Sequence, residues 1–258
     1  MADTASSKVY HYNAQGHGLS ARFERPVQHL IEVQAASSLP TTGGHGNSRV
    51  DNFQFQEFVS FKAAYSHVSG SQKREDGTYT TLTTATIEGL NILDVVTADR
   101  IVARLASQHP TEDDEAHIVV LGSKFENLQI AGCSVDVELD HDFFLPLDTF
   151  EALRKELASN ADFRKSAKDP YRTGHTQKVP PDPQGVFLCS LVKDMKTTCP
   201  GVKRQGHAFV VPQFGKVFLA EMLAKRGTRT LTMLRVEMGS PVSGTAVVGE
   251  AAINGDPW

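Results

Sequence analysis

The feature that most constrains the fold is a run of short alternating segments between residues 78 and 140. Its clearest member is 133–140, where Cys133 and every second residue up to Leu139 are apolar and the residues between are polar. A period of two is the side-chain period of a β-strand with one buried and one wet face. The run predicts consecutive antiparallel hairpins. Its predicted strands are 80–88, 95–107, 117–121, 124–130 and 133–140, with tight turns at 89–91 and 131–132.

Similar alternation occurs before and after this run. Phe53, Phe61 and Tyr65 share one parity, which predicts a single long strand over 53–65 with a bulge where Glu57 and Phe58 break the pattern. The region 39–48 contains three glycines and a proline and is predicted to be a loop. Further predicted strands are 27–34, 186–192, 206–214, 216–224, 229–238 and 245–253.

One helix is predicted over 148–165. Asp148 can cap its start and Glu151 follows three residues later, which together form a capping-box signature. Leu153 and Leu157 lie on one face of this helix. The four prolines of 169–184 predict an irregular connector, so the helix and connector read as an insertion at 146–184.

About ten strands, short reversals and one helix are typical of an all-β fold. We predict an antiparallel β-sandwich or a jelly-roll-like arrangement. A β-solenoid is the alternative because the two halves of 78–140 look alike, although no constant period is present. Residues 1–24 are polar and dotted with glycine, and are predicted to be an extended N-terminal arm. Residues 25–258 are then a single β-rich domain.

Composition limits the partners and the compartment. The chain has 258 residues and a formal net charge of −4, which disfavours a nucleic-acid partner because such proteins carry a basic surface. No window approaches the ~20 apolar residues of a membrane span. The first residues lack the apolar core of a signal peptide, which predicts a cytoplasmic protein. Surface or extracellular location by a non-classical route is the alternative.

The three cysteines form no Cys-x-x-Cys pair. An odd count without a signal peptide predicts free thiols, and Cys133 on an apolar strand face is expected to act as a small hydrophobe. Whether Cys189 and Cys199 pair is left open by their spacing.

No motif in the chain specifies a reaction, so we predict no catalytic, cofactor-binding or metal-binding residue. The ten histidines lack the spacing of a zinc site. Two enzyme alternatives stay open. One is a jelly-roll metalloenzyme that uses some of His117, His141 and His207, and the other pairs Cys189 or Cys199 with His207 as a nucleophile and base.

Several sequence segments resemble a known family. Residues 84–93 end in a Gly-Leu reversal, and Val96-Thr97-Ala98-Asp99 follows. Together with 122–128 and 214–221, this pattern resembles bacterial β-rich proteins of the choice-of-anchor (P-type) family. The resemblance implies an exported, surface-attached protein and supplies no catalytic residues.

The function expected from these features is structural. We predict a non-enzymatic bacterial protein that associates with itself into a homo-oligomer or filament, through its sheet edges and the arm at 1–24. The alternative is a carbohydrate- or ligand-binding module that uses exposed Phe53, Phe55, Tyr65 or Tyr79. These aromatic residues share a parity, so they also fit a packed core.

Overall fold

The computed structural model describes residues 10–167 and 185–254 and contains two antiparallel nine-stranded sheets. In chain order, the strands are β1 (Asn13–Arg25), β2 (His29–Gln34), β3 (Ser37–Ser38), β4 (Gly44–Phe55), β5 (Val59–Gln72), β6 (Tyr79–Ile92), β7 (Val96–His109), β8 (His117–Val120), β9 (Lys124–Glu126), β10 (Gln129–Ile130), β11 (Cys133–Leu139), β12 (Phe187–Ser190), β13 (Val192–Thr197), β14 (Lys203–Gln205), β15 (Ala208–Val211), β16 (Gly215–Lys225), β17 (Thr228–Met238) and β18 (Ser243–Asn254).

The two sheets pack face to face, which confirms the predicted all-β sandwich. The first sheet has the order β14-β15-β16-β17-β18-β1-β2, with β12 on β16 and β3 on β1. The second has the order β13-β11-β10-β7-β6-β5-β4, with β8 and β9 on β7. Strands β1 and β18 lie across β6, and Thr83 donates a hydrogen bond to the carbonyl of Ala252 across the interface at 3.3 Å.

The segment expected to be an N-terminal arm contains an interior strand of the first sheet. Strand β1 is hydrogen-bonded to β18 on one side and to β2 and β3 on the other. The inward side of its first half is built from small residues such as Gly16 and Gly18, which carry little hydropathic signal. A Cβ at Gly18 would lie 2.6 Å from the Cβ of Ala64, so glycine lets the sheets approach here. Residues 1–9 lie outside the described chain.

In each sheet, regular pairing is interrupted at aligned positions on neighbouring strands, which form a row across the sheet. Beyond these positions, the residues that faced the core face solvent and the alternate residues face the core. In the second sheet the row contains Asn52, Lys62, Gly89 and Asp99, and the set of residues that faces the core changes from one parity to the other near it in β4, β5, β6 and β7. Asn52 and Gly89 have φ values of 54° and 64°. The row of the first sheet contains Gly18, Ala220, Met233 and Gly249.

Three predicted boundaries differ from the structure. Gly89 lies inside β6, and the reversal follows at Leu93 and Asp94, which have φ values of 54° and 53°. The predicted bulge at Glu57 and Phe58 is the turn between β4 and β5. The predicted loop 39–48 contains the start of β4, whose alternate glycines mask its strand character.

The predicted helix 148–165 is two helices. The helices of the described residues are α1 (His141–Phe144), α2 (Phe150–Ser159) and α3 (Ala161–Ser166). Asn160 ends α2 and caps α3, because its side chain accepts hydrogen bonds from the amides of Asp162 and Phe163 at 3.0 Å. Thr149, not Asp148, caps α2. The predicted connector 169–184 lies outside the described residues.

A buried arginine docks the helical segment to the sandwich. Arg229 on β17 donates hydrogen bonds to the carbonyls of Ile118, Leu147 and Thr149 at 2.7, 2.6 and 3.2 Å. Burial lowers the pKa of Arg229 to about 10, so the guanidinium remains charged at neutral pH. Its three carbonyl partners replace the water that it lost on burial.

Candidate functional site

The three histidines of the metalloenzyme alternative have separate partners. His117 bonds Asp148 through Nδ1 at 2.8 Å and Asp113 through Nε2 at 3.1 Å. The Nε2 of His141 lies 3.1 Å from the carbonyl of Ser123. His207 bonds Glu221. Among residues 10–167 and 185–254, no group of three or more His, Cys, Asp or Glu side chains could hold a metal ion.

The cysteine predictions are wrong for two of the three residues. A disulfide joins Cys133 and Cys199, whose Cα atoms are 5.4 Å apart. The pairing of Val135 with Thr197 in the β11–β13 ladder brings these two cysteines opposite each other, and sequence cannot reveal that ladder because helices intervene. Cys189 is free and buried, and burial raises the pKa of its thiol to about 12. Cys199 is held in the disulfide, and Cys189 stays protonated at neutral pH, so neither supplies the thiolate that a cysteine nucleophile requires.

The aromatic residues proposed for sugar binding contact other parts of the chain. Phe53 stacks on Phe61 with ring centroids 5.0 Å apart, and Tyr79 stacks on Tyr10 at 4.1 Å. The hydroxyl of Tyr65 donates to Glu88 at 3.1 Å. Phe53, Phe55 and Tyr79 pack against the core, and the stacked ring faces of Phe53 and Tyr79 are those that would stack on a sugar, so these three residues favour the packed-core interpretation. For Tyr65 the contact is made by the hydroxyl and not by the ring face.

A buried ionic cluster lies on the outer face of the first sheet. Arg235 binds Glu221 through two nitrogens at 2.6 and 2.9 Å, and His207 bonds the same carboxylate at 2.9 Å. Arg235 also pairs with Glu237 and lies 3.7 Å above the ring of Phe218. Burial by itself raises the pKa of Glu221, but the hydrogen bonds and charges of Arg235 and His207 bring it down to about 2.

This cluster is structural. Glu221 has only 4% of its surface exposed, and both of its oxygens are already bonded. A carboxylate with a pKa of about 2 is a poor general base at neutral pH. The cluster therefore joins β16, β17 and the turn before β15 without leaving a group free for chemistry.

One end of the sandwich holds an apolar cavity of about 380 Å³. Leu93, Val211, Phe214 and Val242 contribute to its wall, and Gln213 and Ser240 are its polar side chains. Among residues 10–167 and 185–254, the side chains that line it include none that is ionisable.

One long side of the sandwich, the closed side, consists of the edge strands β12, β13 and β14. These strands are four, six and three residues long. The chain passes from β12 in the first sheet to β13 in the second through Leu191 alone. Arg204 bonds Asp194 across the sheets at 2.6 Å, and the Cys133–Cys199 disulfide ties β13 to β11. Hydrogen bonds from Lys196 and Arg204 lower the pKa of Asp194 to about 2.

The opposite long side, the open side, consists of the edge strands β2 and β4 together with Val27. Strand β4 is twelve residues long and, within the described chain, pairs only with β5. The rings of His29 on β2 and Phe55 on β4 stack at 4.2 Å, so the edges of the two sheets lie together. An unpaired edge presents a row of backbone donors and acceptors to solvent.

Exposed apolar side chains concentrate on the open side. Leu30 and Val33 of β2 are 64% and 50% exposed, and Val27 is 39% exposed. In the described residues, the other large hydrophobic side chains with such exposure are Leu121 and Leu145. The open side thus combines a long free edge with apolar surface, which is typical of an interaction site.

Comparison with known proteins places this chain in a group without an assigned role. A family model described as a domain of unknown function (DUF8256) matches residues 10–180 and 146–225. Neither a curated protein nor a solved structure matches the chain. None of the helices in the described residues is long and apolar enough to cross a membrane.

Proposed function

The chain belongs to the DUF8256 family, and from that starting point we propose that it is a non-enzymatic structural protein that associates with copies of itself through its open side. The observation that carries this proposal is strand β4, a twelve-residue edge that pairs with β5 alone among the described strands. Edges of this length template the addition of another strand unless they are covered or broken.

The contrast with the closed side supports the proposal. There the edge strands are short and interleaved with charges such as Lys193, Asp194 and Lys196, which are standard protections against edge pairing. Strand β4 contains no proline and only two residues charged at neutral pH, Arg49 and Asp51. The exposed Leu30 and Val33 lie on β2, the other edge strand of the open side, and add apolar surface to that side.

The open side replaces the N-terminal arm in this proposal. Residues 13–24 are part of β1, whose two edges are already paired, so they are not free to exchange into a neighbour. The proposal therefore keeps association through the sheet edges and drops association through the arm.

An oxidising location is part of the proposal. The Cys133–Cys199 disulfide supports it, because such bonds persist in exported proteins and are rare in the reducing cytosol. This favours the surface or extracellular alternative over the cytoplasmic one, and it agrees with what the choice-of-anchor resemblance implies.

The test is the mass of the full chain in solution, measured by size-exclusion chromatography with light scattering across micromolar concentrations. We expect a species heavier than the 28.1 kDa chain. Asp51→Lys should dissociate it, because two copies of β4 would then each carry two positive charges. The matched control is Lys203→Glu on β14 of the closed side, which should leave the mass unchanged. A wild-type monomer at every concentration would sink the proposal.

A further inference from the structure

Strand β4 carries a charge pattern that is complementary to itself. Arg49 and Asp51 are its only residues charged at neutral pH, and both point outward, with side chains 61% and 49% exposed. They flank Val50, which faces the other way and is partly buried. Within one strand Arg49 reaches Asp51 at 2.8 Å. Directly opposed residues on paired strands are at least as close as residues two apart on one strand.

We infer that two copies of this chain pair their β4 strands antiparallel, about a two-fold axis at Val50, and so join their second sheets into one. The inference rests on the proposed self-association and specifies its geometry. In this register Arg49 lies opposite the partner's Asp51, and Asp51 lies opposite the partner's Arg49. One contact repeated by the two-fold axis gives both ion pairs.

Neighbouring registers are less favourable. An axis at Arg49 or at Asp51 sets that residue against its own copy, which places like charges directly opposite. An axis at Ser48 leaves Arg49 opposite the partner's Asn47 and diagonal to the partner's Arg49, with no Arg–Asp pair. Shifting one strand by a single residue relative to the other would bring the outward side chains of one copy opposite the inward side chains of its partner.

The interruption at Asn52 limits how far this ladder extends. Asn52, with φ of 54°, changes the parity of β4, so regular pairing about Val50 spans residues 48–52. A short ladder depends more on its side-chain pairs than a long one does. A two-fold contact uses the same surface on both copies, so it is saturated when two copies have paired. The geometry therefore predicts a dimer and not a filament.

Cross-linking of the full chain tests the register. Val50→Cys places two cysteines on the axis, where Cα atoms of opposed residues lie about 4.5–5.5 Å apart and a disulfide can form. The control Ser48→Cys places its two cysteines roughly 13 Å apart, because four residues separate them along the ladder. We expect a disulfide-linked dimer from Val50→Cys and none from Ser48→Cys under mild oxidation.

Charge exchange tests the ion pairs. Arg49→Asp and Asp51→Arg should each weaken self-association on the order of tenfold or more, because like charges then oppose each other. A mixture of the two variants should form heterodimers, and the double variant R49D/D51R should dimerise as the wild type does. A dimer that cross-links through Ser48→Cys, or that R49D/D51R does not restore, overturns the register while leaving self-association intact. A monomeric wild type overturns both.

Discussion

The closed and open sides of this sandwich solve the same physical problem differently. Every β-sheet ends in strands whose outer donors and acceptors lack a partner. On the closed side, the edge strands are short, the Cys133–Cys199 disulfide links β11 to the residues after β13, and the Arg204–Asp194 pair joins the two sheets. On the open side, β4 is twelve residues long, and β2 carries the exposed Leu30. The difference teaches that one sandwich can link the edges of its sheets covalently and ionically on one long side and, on the other, leave a long strand that among the described residues is paired on one edge only.

The largest expected effect is on the closed side, from loss of its disulfide. Cys199→Ser opens a link between residues 66 apart in sequence. The chain-entropy model for a loop of this length gives a loss of about 4 kcal/mol in the free energy of unfolding. Urea unfolding with and without a reductant measures it.

The control for this experiment is the double variant Cys133→Ser/Cys199→Ser. Reductant should destabilise the wild type to the level of this variant and should have no further effect on the variant itself. An unfolding midpoint that is equal in all samples would show that the link contributes no stability.

The second effect concerns the buried carboxylate of the first sheet. The pKa of Glu221 in the folded protein, about 2, lies below its ordinary value of 4.5. Its stabilisation is therefore present above the ordinary pKa and is lost as the pH falls toward 2, which amounts to about 3 kcal/mol. Glu221→Gln should remove this part of the acid unfolding profile. If the variant and the wild type unfold at the same acid midpoint, the ionic cluster is not stabilising.

A third, smaller effect links the helical segment to pH. Hydrogen bonds that the protonated ring donates to Asp148 and then to Asp113 raise the pKa of His117 above its ordinary value of 6.5, although burial opposes this. The stabilisation is complete below the ordinary pKa and disappears as the pH rises through the raised value. His117→Gln should make the melting temperature depend less on pH above the ordinary pKa of 6.5 than it does in the wild type. The side chain is 38% exposed, so we expect a small change.

The smallest effect on stability is expected on the open side. Leu30→Ser should change the free energy of unfolding by no more than about 0.5 kcal/mol, because this side chain is already exposed. It should still weaken self-association, which sedimentation across concentrations can measure. Leu145→Ser is the matched control, since Leu145 is 59% exposed but lies at the end of α1. Equal dissociation constants for the two variants would contradict a role of β2 in association.

Much of the fold was predictable where one rule applied along a whole segment. The alternation at 133–139 matches β11, and the apolar face with Leu153 and Leu157 matches α2. Prediction failed where two rules competed. Gly89 suggested a turn but occupies a left-handed position inside β6, and Asn160 ends one helix while it caps the next. Asp148 had a capping signature, but its carboxylate is bound to His117.

The candidate site was only partly predictable. Free sheet edges follow from a strand-rich sequence, but which strand is free depends on the order of strands in the sheets. The sequence by itself determined the all-β class and the absence of a motif for chemistry, because both depend on local periods and spacings. Only the tertiary structure decided that β1 is an interior strand, that Cys133 meets Cys199, and that β4 is the open edge. The physical reason is that antiparallel pairing joins residues far apart in the chain, and a local period carries no information about its partner strand.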